Sequence, residues 1–63
     1  MTVKLRIIEP CKGGRHVTVR HEWFYSAKVA RARGLELTRD PLRLVDLFIE
    51  ERFIGRVEEQ RAA

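Results

Sequence analysis

The chain of 63 residues is 44% hydrophobic and 35% charged, and its 13 Lys/Arg against 9 Asp/Glu give a formal net charge of +4. That mixture is too apolar for a disordered tail and too interrupted by charge for a membrane span, which needs about 20 apolar residues in succession. One small domain is expected over 1–63, and at this size only about 60% of the unfolded surface is buried on folding, so a homodimer is the expected source of further stability.

The single cysteine, Cys11, excludes an internal disulfide and suits a reducing compartment. Lys4, Arg6 and Glu9 interrupt any apolar signal-peptide core near Met1, and a cytoplasmic location is the expectation. Charge is unevenly placed: residues 1–39 hold nine Lys/Arg against three Glu, a balance of +6, whereas residues 40–63 hold four Arg against six acids, −2. A basic front half points to an anionic partner.

Val3, Leu5 and Ile7 alternate with Lys4 and Arg6, Val17 and Val19 alternate with Thr18 and Arg20, and Gly13-Gly14 lies between. Period-2 patterning on both sides of a glycine break predicts a β-hairpin over 2–25. A two-residue turn at Gly13-Gly14 sets Ile8 opposite Val19 and Ile7 opposite Arg20, and so splits the apolar face. A three-residue turn, Lys12-Gly13-Gly14, sets Ile7 opposite Val19, Leu5 opposite His21 and Val3 opposite Trp23 on one continuous apolar face. The second register is expected, and its polar face pairs Lys4 with Glu22, Arg6 with Arg20 and Ile8 with Thr18.

Trp23-Phe24-Tyr25 ends the second strand, and Ser26 reads as the N-cap of a short helix over 26–33 closed by Gly34, with Lys28 and Arg31 on its outer side. Leu35–Thr38 reads as extended. Asp40-Pro41 then reads as the cap and first residue of a main helix over 41–53. In that helix Leu42, Val45 and Ile49 form one stripe and Leu44, Leu47 and Phe48 widen it beyond one buried face, so a symmetry mate is expected to cover the second side. Gly55 is read as ending or bending this helix, and the tail 54–63 fits a frayed helix or a short strand equally. The expected fold is α+β: an N-terminal two-stranded antiparallel β-hairpin packed on two helices, assembled as a homodimer.

Few residues here suggest chemistry. Gly13 and Gly14 lack the spacing and the strand-to-helix context of a nucleotide phosphate loop, although Lys12 and Arg15 beside the turn could touch a phosphate. Cys11, His16 and His21 do not have a zinc spacing, and no metal or cofactor is expected. Neither Ser26 nor Cys11 has a histidine and an orienting carboxylate arranged for nucleophilic attack, so the chain does not read as an enzyme. Trp23, Phe24 and Tyr25 have two readings, a stacking platform for bases and the commoner aromatic closure of a small core.

The order of Val17-Thr18-Val19-Arg20, a helix, a glycine and the capped segment Asp40-Pro41-Leu42-Arg43-Leu44-Val45-Asp46-Leu47-Phe48 is similar to that of the ribbon-helix-helix repressors. The resemblance implies two chains that insert a two-stranded ribbon into the DNA major groove, with Thr18 and Arg20 reading bases and the amides near Asp40 approaching phosphate. The strand at residues 2–8 and the shortness of the first helix depart from that pattern.

The expected function is a small non-catalytic nucleic-acid-binding regulator, of DNA or RNA, that uses Lys4, Arg6, Thr18 and Arg20 on the polar face of the hairpin, with Lys12, Arg15, Lys28 and Arg31 adding phosphate contacts. The alternative is a phage- or plasmid-type protein-protein module that inhibits or assists a larger protein or nucleoprotein complex.

Overall fold

Alternation decides the centre of the molecule. In the computed structural model, which describes residues 1–11, 13–14 and 16–58, the segment Val3–Pro10 (β1) is an inner strand that buries Val3, Leu5 and Ile7. It is followed by Val17–Phe24 (β2), Ala27–Leu37 (α1), Leu44–Ile49 (β3) and Arg52–Arg56 (β4). The strands form one antiparallel sheet in the order β2-β1-β3-β4, and α1 lies across one face, over β1 and its two neighbours.

This corrects the expected fold, a hairpin on two helices. Residues 41–53 hold β3, a turn and the start of β4, not a main helix. Asp40 does cap, but it caps a turn: its Oδ1 accepts the Leu42 N–H at 2.9 Å and its carbonyl accepts the Arg43 N–H at 3.1 Å. The apolar residues of Leu44–Ile49 belong to an inner strand between β1 and β4: Val45, Leu47 and Ile49 face α1 and the core, while Leu44 and Phe48 lie with Asp46 on the open side. Val45 and Leu47 are buried inside one chain, while Leu42 and Leu44 of the same expected surface stay exposed. Without a second helix, the likeness to ribbon-helix-helix repressors ends at residue order.

The helix is longer than expected. Ser26 caps it as read, its Oγ accepting the Val29 N–H at 3.4 Å, but Gly34 lies inside α1 and Leu35–Leu37 continue it. A Cβ on Gly34 would sit 2.9 Å from Val57 Cγ1, so the glycine's role is close packing. It lets the chain beyond β4 lie on the helix. Val57 thereby joins Val3, Leu5, Ile7, Ala30, Leu37, Val45 and Leu47 in the core.

Turn geometry overrode hydrophobic matching in the first hairpin. Gly13 and Gly14 have φ of +104° and +72°, the Gly14 N–H donates to Cys11 O at 3.0 Å, and the Cys11 N–H donates to His16 O at 2.7 Å. A connection of even length results, and it sets Ile8 opposite Val19, Ile7 opposite Arg20, Leu5 opposite Glu22, Arg6 opposite His21 and Lys4 opposite Trp23. The register expected from one continuous apolar face is therefore wrong by one residue. In the second hairpin Glu50 and Glu51 hold φ of +50° and +65°, a region that usually takes Gly or Asn. Glu50 is tied to the segment before β1: its N–H donates to Thr2 O at 2.9 Å and its carboxylate accepts the Thr2 N–H at 2.7 Å. Among the described residues no helix is long and apolar enough to cross a membrane.

Candidate nucleic-acid interface

Residues directly opposite one another in an antiparallel pair share a face. Thr18, Arg20, Glu22 and Phe24 therefore lie on the helix side with Val3, Leu5 and Ile7, while Val17, Val19, His21 and Trp23 lie on the open side with Lys4, Arg6 and Ile8. Through β3 and β4 the open side also holds Leu44, Asp46, Phe48, Phe53 and Arg56.

A row of rings and cations crosses all four strands on this open side. Lys4 Nζ lies 5.5 Å from the ring centroid of Trp23 and 4.7 Å from that of Phe48, and Arg6 Cζ lies 4.9 Å from the Phe48 centroid. Phe48 and Phe53 meet edge to face, with centroids 5.6 Å apart and ring planes at 65°. Trp23 is 57% exposed and Phe53 59%, so the two ends of the row present ring surface to solvent. Each cation over a ring contributes about 0.5–1 kcal/mol at an exposed site and holds the ring in place.

Asp46 organises the cations. Its side chain is only 2% exposed, and its two oxygens accept from Arg6 Nη2 at 2.8 Å and Arg56 Nε at 3.1 Å. Burial pushes this carboxyl up, but the hydrogen bonds from Arg6 and then Arg56 outweigh it and hold the group below the usual carboxylate range. Arg6 Nε is buried without a hydrogen-bond partner, and the guanidinium lies over Phe48 instead. With Lys4, Arg6 and Arg56 set against Asp46, the open side is net positive.

The helix side at β2 is a closed ionic network. Arg20 donates to Glu9 at 2.8 Å and to Glu22 at 2.6 Å, Arg33 Nε donates to Glu22 at 3.0 Å, and Arg43 Nε donates to Glu9 at 3.0 Å. Arg20 and then Arg43 hold the Glu9 carboxyl low, and Arg33 and then Arg20 do the same for Glu22. Arg20 is thus engaged in holding β2 to β1 and α1. The Thr18 hydroxyl donates to Glu9 O at 3.3 Å on the same side.

The expected site residues consequently separate. Lys4 and Arg6 stand together on the open side, Thr18 and Arg20 on the opposite face, and Lys28 and Arg31 are exposed on α1, in the other layer. Lys12 and Arg15 lie outside the described residues. Of the aromatic triplet, Trp23 joins the open-side row, Phe24 packs against the core, and Tyr25 projects beyond the strand end. Phe48 and Phe53 were not expected at this surface, because their turn lacks a Gly or Asn signal and both fell within the expected helix. Among the described residues no group of three His, Cys, Asp or Glu is placed to hold a metal ion. No protein family, curated protein or solved structure matches this chain.

Proposed function

We propose that this chain is a non-catalytic module that binds single-stranded nucleic acid, DNA or RNA, across the open side of its sheet. The observation that carries the reading is the row Trp23, Lys4, Phe48, Arg6 and Phe53, in which rings and cations interleave over four adjacent strands. Unpaired bases stack on aromatic side chains at about 1–3 kcal/mol per base while cations track the backbone. Strands spaced about 4.8 Å apart give a four-stranded face some 14 Å across before side chains are added. The DNA major groove is about 12 Å wide and admits a helix or a two-stranded ribbon, so this face suits splayed bases better than a duplex groove. Lys4 and Arg6 keep the role their charge suggested, Trp23 and Phe53 take the base-contacting role from Thr18 and Arg20, and Phe48 holds the two cations between them.

Fluorescence anisotropy with short labelled oligo-thymidine and oligo-uridine strands at about 50 mM salt tests the reading. The expected result is saturable binding, weaker binding to a duplex of the same length, and roughly a tenfold loss in each of Trp23→Ala and Phe53→Ala with unchanged circular dichroism. Absence of single-strand binding, or binding indifferent to both substitutions, overturns it.

The exposed Val17, Val19 and Leu44 on the same side favour a second reading, a protein-protein module that docks on a larger protein or nucleoprotein complex. Material purified without a high-salt wash separates the two, since a single-strand binder carries nucleic acid along.

A further inference from the structure

The two edges of the sheet differ in their readiness to accept another strand. β4 is five residues long, its pairing with β3 shifts register between Leu47 and Phe48, and it begins and ends with arginine; short, irregular, charged edges resist pairing. β2 is eight residues long and runs in unbroken register along β1. The Cys11–His16 hydrogen bond identifies its free groups, because hydrogen-bonded pairs recur at every second position of an antiparallel ladder. Thr18, Arg20, Glu22 and Phe24 therefore direct their backbone N–H and C=O toward β1. Val17, Val19, His21 and Trp23 direct theirs outward, as an open template for a strand.

We infer that two copies of this chain associate by antiparallel β2–β2 pairing centred on His21. The outward-facing residues must oppose one another, and with both helices on one side of the joined sheet the opposed residues must share a face. Pairing centred on His21 meets both conditions and places Arg20 of each copy opposite Glu22 of the other, Val19 opposite Trp23, and Thr18 opposite Phe24. Shifting the centre to Arg20 instead sets the two arginines against each other, and like charges directly opposed are destabilising where opposite charges are favourable. The sequence Arg20-His21-Glu22 is thus self-complementary in one register.

Space permits the arrangement. Because α1 lies over β1, the two helices of the joined sheet stand three strand spacings apart, about 14 Å, beyond the 8–10 Å of directly packed helices. Arg33, which reaches Glu22 beside this seam, keeps its place. The inference stands apart from the nucleic-acid reading, although the pairing would bring both ring-and-cation rows onto one continuous side.

Sedimentation velocity over a concentration series tests it, with a species of about twice 7.4 kDa as the expected result. His21→Pro removes an outward N–H and leaves the β1 ladder whole, so it is expected to give a folded monomer. Arg20→Glu and Glu22→Arg are each expected to be monomeric, since one presents only carboxylates and the other only guanidinium groups at the seam; mixed in equal amounts they are expected to associate. A chain that is monomeric at every concentration, a dimer that survives His21→Pro, or two charge variants that keep the parent circular dichroism yet fail to associate when mixed overturns the inference.

Discussion

β1 and β2 are both eight residues long and both alternate apolar with polar side chains, yet Val3, Leu5 and Ile7 are fully buried while Val17 and Val19 are 64% and 51% exposed. Alternation states which residues share a face; it does not state which face is covered. On β1 the covered face is fixed by α1 above and by β3 alongside. On β2 the even-length turn sends the valines to the open side and Arg20 and Glu22 to the helix side, where Arg33 and Glu9 receive them. The same pattern thus builds a core on an inner strand and an ionic clasp on an edge strand.

The sharpest way to break this contrast is to truncate one apolar residue from each strand. Leu5→Ala is expected to cost about 3 kcal/mol, a large share of the stability of so small a domain, and Val19→Ala less than about 1 kcal/mol. Urea unfolding measures both, and equal costs would mean that the open side is covered after all.

Acid acts on both ionic clusters together. Glu9 and Glu22 on the helix side and Asp46 on the open side all have carboxyls held below their ordinary range. Groups depressed in the folded state contribute stability that is fully present above the unfolded value, about 4, and is lost as pH falls through the folded value. Thermal midpoints are therefore expected to stay level from neutral pH to about pH 5 and to drop below it, by less than Leu5→Ala produces. Glu22→Gln and Asp46→Asn should each flatten part of that drop; a midpoint that rises on acidification would contradict the assigned pairs.

The smallest expected effect lies in the second hairpin, where two glutamates occupy left-handed backbone. Glu51→Gly is expected to raise stability by about 0.5–1 kcal/mol, since glycine adopts that conformation without steric cost. Glu50 is the poorer choice for this test because its side chain also binds Thr2. A loss of stability in Glu51→Gly would show that the turn is not strained.

The first half of the chain was legible because its signals are local: two alternating runs, a glycine pair between them, and Ser26 before a helix. What failed there was the parity of the turn, set by both glycines taking positive φ, and with it the placement of Thr18 and Arg20. The second half misled for physical reasons. Asp40-Pro41 offers capping chemistry that serves a turn as well as a helix, Leu44–Ile49 puts apolar residues both on the helix side and in the open-side aromatic row, a breadth that also fits a helix, and Glu50-Glu51 carries no turn signature. Lys4 and Arg6 were correctly placed on one face, but Phe48 and Phe53 reach them only through pairing of β3 with β1, which no local pattern announces.

That pairing also governs how the chain reaches its fold. β1 meets β3 across a long separation, as between Arg6 and Asp46, where |i−j| is 40. A two-stranded hairpin holds together poorly by itself, so β1 and β2 gain lasting structure only after a large loop has closed around α1. Because β1–β3 pairing is long-range, folding is expected to be slow for a domain of this length, a point that stopped-flow refolding measures. A chain in which β1 and β3 have not yet paired leaves the inner edge of β1 open beside Val3, Leu5 and Ile7, so aggregation during refolding is expected to rise with concentration.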